Sequence, residues 1–266
     1  MSVKEIIKPF IPPALLQVAR RLSVGAVRFS GDYDSWETAS RDATGYDASE
    51  ILNRVVSATR KVVAGEAVFE RDSVLFDQVQ YSWPLLASLL QVALERGSLR
   101  VVDFGGSLGS TWRQNRTFLE RLGIPVSWHV VEQPHFVNAG RAEFSNDTLR
   151  FYDSISDAGA GGADVALFAS SLGYVPDARR FLREIEAIQI PRLIIDRLPM
   201  ASGDRDRIAL QNVSEPIYTA SYPVRLFERS SLLRHWLRSW RLIESWNCDL
   251  QADAEIRCSG FFLEKR

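Results

Sequence analysis

Cysteine is scarce. Cys248 and Cys258 are the only two in 266 residues, too few for a disulfide framework, and no Cys/His cluster has metal-ligand spacing. An excess of one charge is missing as well: 32 Lys and Arg stand against 33 Asp and Glu. That balance argues against a general electrostatic grip on nucleic acid. No apolar run reaches the roughly eighteen residues of a membrane span. The N-terminal apolar stretch is broken by Pro9, Pro12 and Pro13, and no small-residue cleavage site follows it, so it does not read as a signal peptide. Internal repeats and low-complexity tracts are absent. What remains is 46% hydrophobic, enough to bury a full core as one domain with appendages in a soluble, cytoplasmic setting.

The stretch Ser98–Gly109 organises the rest. Val101 and Val102 form a short β-branched run, Asp103 ends it, and Gly105, Gly106 and Gly109 follow. Phe118, Leu119 and Leu122 then recur at helical spacing, with Gly123 as the stop. The pattern is buried strand, acid, glycine turn, helix. Glycines let a ligand approach the backbone closely, and the carboxyl end of a strand is where open α/β sheets bind ligands. The next strand, 127–132, carries Glu132 at its tip, where a carboxylate can accept from both ribose hydroxyls of a nucleoside.

Three readings of the turn compete. A dinucleotide fold wants Gly-x-Gly-x-x-Gly; the spacing here differs, and Asp103 would crowd a pyrophosphate. A serine hydrolase wants Gly-x-Ser-x-Gly, which Gly105 to Gly109 match, with Ser107 as nucleophile. That elbow normally follows several strands, whereas the first hundred residues read as mostly helical. The third pattern, Asp/Glu-x-Gly-x-Gly-x-Gly with Ser107 in place of the middle glycine, resembles the S-adenosylmethionine turn of class I methyltransferases.

Along the chain, residues 1–28 set Lys4, Lys8, Arg20, Arg21 and Arg28 among Ile6, Phe10, Leu15 and Leu22. Such a basic amphipathic segment could lie on an anionic membrane surface or dock on its own domain or a partner. Phe29–Tyr46 reads as an ordered loop with a short helix near Ser35–Ser40. Glu66–Tyr81 carries Glu66, Glu70, Arg71, Asp72 and Asp77, read either as a solvated helix face or as a lid over a cofactor. From residue 84 strands and helices alternate, which argues a parallel sheet. The strands expected are 99–104, 127–132, 149–153, 164–169 and 191–196, with helices near 110–122, 134–143, 177–188 and 230–240. A closing pair of strands covers 241–246 and 261–264. The long stretch from Asp196-Arg197 to Pro223 reads as irregular, a candidate substrate loop.

Taken together, these elements are similar to the seven-stranded, mostly parallel Rossmann-like sheet of class I methyltransferases, whose last strand is antiparallel. The expected organisation is a helical cap and amphipathic segment over 1–83 and a methyltransferase-like domain over 84–266. A narrower resemblance rests on Phe29-Ser-Gly-Asp-Tyr, Thr44-Gly-Tyr, Glu70-Arg-Asp-Ser, Asp103-Phe-Gly-Gly-Ser-Leu-Gly-Ser110 and Val131-Glu-Gln-Pro134. These resemble a little-characterised bacterial group of methyltransferase-like proteins that often occurs with surface-polysaccharide biosynthesis enzymes.

The resemblance implies S-adenosylmethionine as cofactor and a small-molecule or glycan hydroxyl as acceptor, with no nucleic acid. It would place Asp103, Gly105, Gly106, Ser107 and Gly109 under the cofactor, with Glu132 and Gln133 at the ribose and Asp153 near adenine. Ser170 and Ser171, with Leu172 and Tyr174, would line the transfer site. Arg71 could fork onto the cofactor's carboxylate and Asp72 meet its ammonium. A hydroxyl acceptor needs a base, for which His135 and Asp196 are candidates, and Tyr218 and Tyr222 could contact a sugar ring. A catalytically idle cofactor-binding assembly partner stays open beside the enzyme readings.

Overall fold

The computed structural model describes residues 27–45, 48–214, 217–251 and 256–266. The basic segment expected at 1–28 lies almost wholly outside the described residues. In chain order come β1 (Val27–Tyr33), α1 (Trp36–Asp42), α2 (Ala48–Val63), a hairpin of β2 (Phe69–Arg71) and β3 (Val74–Phe76), and α3 (Trp83–Arg96). Strand β4 (Leu99–Phe104) and α4 (Ser110–Leu119) flank the glycine turn. Then follow β5 (Val126–Val131), α5 (Pro134–Glu143), β6 (Leu149–Tyr152), α6 (Ile155–Gly159), β7 (Val165–Ala169) and α7 (Ala178–Ala187). The last third holds β8 (Arg192–Met200), β9 (Arg207–Val213), β10 (Ala220–Leu226), α8 (Arg229–Trp236), β11 (Trp240–Gln251) and β12 (Arg257–Lys265).

The main sheet has seven strands in the order β11-β12-β8-β7-β4-β5-β6. Strands β6, β5, β4, β7 and β8 run parallel, while β12 is antiparallel to both β8 and β11. Its central strands β4 and β7 are apolar on both faces, as a sheet covered by helices on both sides requires. In β4, Val101 enters one core and Val102 the other; in β7, Val165 and Leu167 oppose Ala166 and Phe168. The first core packs Leu89 of α3, Trp112 of α4 and Val137 of α5; the second packs Leu182 of α7 and Trp236 of α8. Local signals set the boundaries. Pro84 opens α3 and Gly97, left-handed at φ 67°, closes it, while Asp177 caps α7 through the Arg180 amide at 2.9 Å.

Two expectations are corrected here. The stretch after Asp196 is not an irregular loop: β8 runs on to Met200, and β9 and β10 pair antiparallel. Strand β1 joins their far edge, Val27 opposite Val213, so residues expected in a loop complete a three-stranded sheet β1-β9-β10. Helix α1 packs on that sheet, and Thr44 ties to Ser221 through its amide at 2.8 Å. The segment Glu66–Tyr81 is likewise not a helix face. Its centre is the β2–β3 hairpin, with Phe69 and Glu70 buried against α4. No helix among the described residues is long and apolar enough to cross a membrane.

Candidate functional site

Chain order reverses between β4 and β7, since β4 leads outward to β5 and β6 while β7 leads the other way to β8. Such a switch point opens a crevice at the carboxyl ends of the strands, where open α/β sheets take ligands. The glycine turn lies on one lip of it and Ser170-Ser171, after β7, on the other. The two lips touch. A Cβ on Gly105, which sits at φ +70°, would stand 2.6 Å from the Ser171 Cβ. Gly106 is needed for a different reason, because a Cβ there would fall 2.5 Å from Asp103 Oδ2. Gly109, at φ +88°, would meet Leu149 at 2.8 Å.

Asp103 is fully buried. Its Oδ2 accepts from the Trp128 indole at 2.8 Å, and its Oδ1 has no partner. Burial pushes its carboxyl up to about 7, against the pull of Trp128 and with a further push from Glu132. Glu132 follows β5 as expected; its Oε1 accepts the Ser107 amide at 3.2 Å and its Oε2 the Gln133 amide at 2.8 Å. Burial raises its pKa too, with those two amides opposing. Ser171 is buried with its hydroxyl unpartnered. Two carboxylates thus lie against the turn, Asp103 beneath Gly106 and Glu132 on the Ser107 amide, with Asp103 Oδ1 and the Ser171 hydroxyl left open.

The remaining expected residues divide. Ser170, at φ 63°, accepts from Arg197 Nε at 2.8 Å. Arg197 in turn reaches Asp196 Oδ2 at 2.6 Å. Asp196, expected as a base, is 1% exposed, and its Oδ1 also takes Ser82 at 3.1 Å and Trp246 at 2.9 Å. A carboxylate so engaged anchors Arg197 at the end of the crevice. His135 lies in the first turn of α5, packed on Phe136, with its Nε2 buried and unpartnered. Asp153 lies just past β6 but is paired with Arg141 at 3.0 Å. On the hairpin, Asp72 and Ser73 form the two-residue turn at φ 50° and 65°, backbone values uncommon outside glycine. The Arg71 side chain makes no hydrogen bond or ion pair among the described residues and stands over the Phe69 ring at 5.4 Å; burial, then the neighbouring Arg197 charge, lowers it to about 10.

Two groups escaped the sequence reading. Glu70 is 1% exposed and accepts from the Ser110 hydroxyl at the start of α4, which docks the hairpin beside the glycine turn. Its acid and its Glu-Arg-Asp-Ser context were legible; its burial was not. Gln211 of β9 links the tyrosines: the Tyr174 hydroxyl donates to it at 2.7 Å, and its amide donates to the Tyr222 hydroxyl at 3.1 Å. Tyr218 stands 3.4 Å from Tyr222. Burial and then the Asp72 charge hold the Tyr174 phenol well above its usual range.

The hydrolase reading needs a histidine on Ser107. His129 Nδ1 is bonded to the Ala158 carbonyl at 2.7 Å, and no hydrogen bond joins His135 to Ser107. Among the described residues no three His, Cys, Asp or Glu side chains gather as a metal site.

No family model matches the sequence, and no curated protein matches it. Solved structures do match. The N-terminal domain of EvdMO1, solved in the presence of SAH and D-fucose, superposes at TM-score 0.50 with 14% identity, covering 84% of this chain and 98% of that one. What they share is the fold. Below that level of likeness stand a Burkholderia thailandensis 1,6-didemethyltoxoflavin-N1-methyltransferase bound to S-adenosylhomocysteine, at TM-score 0.44 and 19% identity over 84% and 94% of the two chains. A SAM-dependent methyltransferase from Methanosarcina mazei reaches TM-score 0.49 at 13% identity, over 71% and 99%.

Proposed function

We propose that this chain is an S-adenosylmethionine-dependent methyltransferase acting on a hydroxyl of a sugar or glycan precursor in surface-polysaccharide assembly. The observation that carries this reading is the pair of carboxylates, Asp103 and Glu132, against a glycine turn at the switch point, with Asp103 Oδ1 buried and unpartnered. A phosphate-bearing ligand would meet like charge there and find the Ser107 amide occupied by Glu132. A nucleoside carrying positive charge suits it, since its hydroxyls and cationic groups donate where this site accepts. The residues present therefore fit the cofactor.

Gly105, Gly106 and Gly109 allow close approach, and Glu132 would receive the ribose hydroxyls, with Ser107 and Gln133 holding its carboxylate. Asp153 and Ser171 flank the adenine and transfer ends. When bound, the cofactor supplies an electrophilic methyl group. The protein's task is then positioning, worth on the order of 7–11 kcal/mol when geometry is well held. On the acceptor side, Tyr174, Gln211, Tyr222 and Tyr218 form a neutral chain of hydroxyls and amide beside aromatic rings, 5.4 Å apart between Tyr174 and Tyr222. That is the chemistry that recognises a polyhydroxylated ring. Because Asp196 is engaged, His135, with Nε2 unpartnered, is the base we carry forward, worth about 10²–10⁴-fold if placed. The basic residues of 1–28 would hold the enzyme at the inner face of a membrane.

Calorimetric titration with S-adenosylhomocysteine tests the reading. One-to-one saturable binding is expected; no heat of binding at millimolar ligand refutes it.

A further inference from the structure

Glu70 and Arg113 form an incomplete pair inside the protein. Glu70, at the middle of β2, is 1% exposed. One of its oxygens takes the Ser110 hydroxyl, the Ser73 backbone amide also pulls on the carboxylate, and Oε2 has no partner at hydrogen-bond geometry. Arg113 lies three residues past Ser110 on α4, so the two share a helix face. It is 9% exposed, its guanidinium stands over the Phe144 ring at 5.6 Å, and its Nε is buried without a partner. The two opposite charges attract each other. Yet they form no hydrogen bond or ion pair among the described residues. Leaving a buried charged group with an open valence is costly, about 1–3 kcal/mol or more. A folded chain that keeps both open leaves a demand for a donor at one and for an acceptor at the other.

A zwitterion meets both demands at once. An α-ammonium donates to a carboxylate, and an α-carboxylate accepts from a guanidinium, each as a charge-assisted bond. The place is right as well, because Ser110 is the first residue of α4 after the glycine turn. Asp72, by contrast, is exposed at the hairpin tip.

Resting on the methyltransferase reading above, we propose that Glu70 holds the ammonium of the cofactor's amino-acid end and Arg113 faces its carboxylate. Glu70 thus takes the role that the sequence suggested for Asp72. The hairpin then both covers the cofactor and selects ligands bearing an intact α-amino acid.

Two probes separate this role from a structural one: S-adenosylhomocysteine, which carries the amino-acid end, and 5′-methylthioadenosine, which lacks it. Calorimetry on Glu70→Gln should show homocysteine-ligand affinity weakened about tenfold to a hundredfold. Methylthioadenosine affinity should stay within about twofold, and Asp72→Asn should leave both ligands within about twofold of wild type. Equal weakening of both ligands in Glu70→Gln, or of neither, overturns the assignment. The unsubstituted protein gives a second route that does not depend on a variant folding: a wild type that binds both ligands equally well also overturns it. If the wild type binds neither ligand, the methyltransferase reading itself falls, and this assignment with it.

Discussion

Replacing Asp103 with asparagine should stabilise the ligand-free protein at alkaline pH while weakening its site. Asp103 is fully buried, and its carboxyl rises from 3.8 to about 7 on folding, chiefly through burial. A carboxyl that holds its proton more tightly when folded favours the folded state at low pH. That contribution is full below the unfolded value and is lost as pH climbs through the folded one. Ionising Asp103 inside the protein therefore withholds up to about 4 kcal/mol at pH 8, at about 1.4 kcal/mol per pH unit. Asparagine keeps an oxygen for the Trp128 indole, bonded at 2.8 Å. It also leaves an amide N–H where Oδ1 has no partner, returning about 1–3 kcal/mol of the gain. The net expectation is about 1–3 kcal/mol of stabilisation at pH 8, or roughly 2–10 °C in midpoint for a chain of this size. At pH 5 the same arithmetic leaves less than about 2 kcal/mol, which the unpaired amide offsets, so the advantage vanishes. Thermal melts followed by circular dichroism from pH 5 to 8.5 read this directly. Glu70, also raised to about 7 by burial, should leave a residual slope in the variant. Wild-type and variant midpoints that keep a constant separation across the whole range would refute the argument.

Glu132→Ala should weaken S-adenosylhomocysteine binding about tenfold or more by calorimetry, since a charge-assisted bond of ~1.5–3 kcal/mol is lost. Gly105→Ala should lower the thermal midpoint clearly, because a Cβ at φ +70° would strike Ser171 at 2.6 Å. Ser107 should resist a fluorophosphonate probe, as no histidine activates it; stoichiometric labelling seen by mass spectrometry would instead favour a hydrolase. Amide exchange across Glu66–Tyr81 should slow on adding S-adenosylhomocysteine, together with the glycine turn; protection confined to residues 103–135 would deny the hairpin any covering role.

Central strands were legible because their signal is local. Val101-Val102 and the run Val165–Ala169 are apolar on both faces, and each is punctuated by a turn and a helix start. The helix at Pro134–Glu143 was read with the same bounds the structure shows, since its proline and its apolar spacing both lie within it. Strands β1, β9 and β10 were missed for the opposite reason. Gly31 interrupts β1 and Pro223 interrupts β10, and the β1–β9 pairing joins residues remote in sequence. The hairpin turn Asp72-Ser73 lacks the Asn-Gly or Asp-Gly that announces a two-residue loop. Of the candidate site, the glycine turn after β4 and Glu132 after β5 sit where the sequence pattern put them. The commitment of Asp196 to Arg197 and Trp246, and the burial of Glu70, depend on elements that meet only in the folded chain.

The small sheet also sets a waiting time. Ser30 hydrogen-bonds Asn212 across 182 residues of chain. At a ribosomal rate of about 5–20 residues per second, β1 waits on the order of 10–40 s for its partner to be made. An unpaired strand left open that long invites mispairing with other nascent chains. Its composition suits the delay: Arg28, Ser30 and Asp32 alternate with its apolar residues. Strand β1 is thus a late-fastening seam, closed only after β9 has left the tunnel, and a chain stalled before β9 would expose it to the chaperones that attend synthesis.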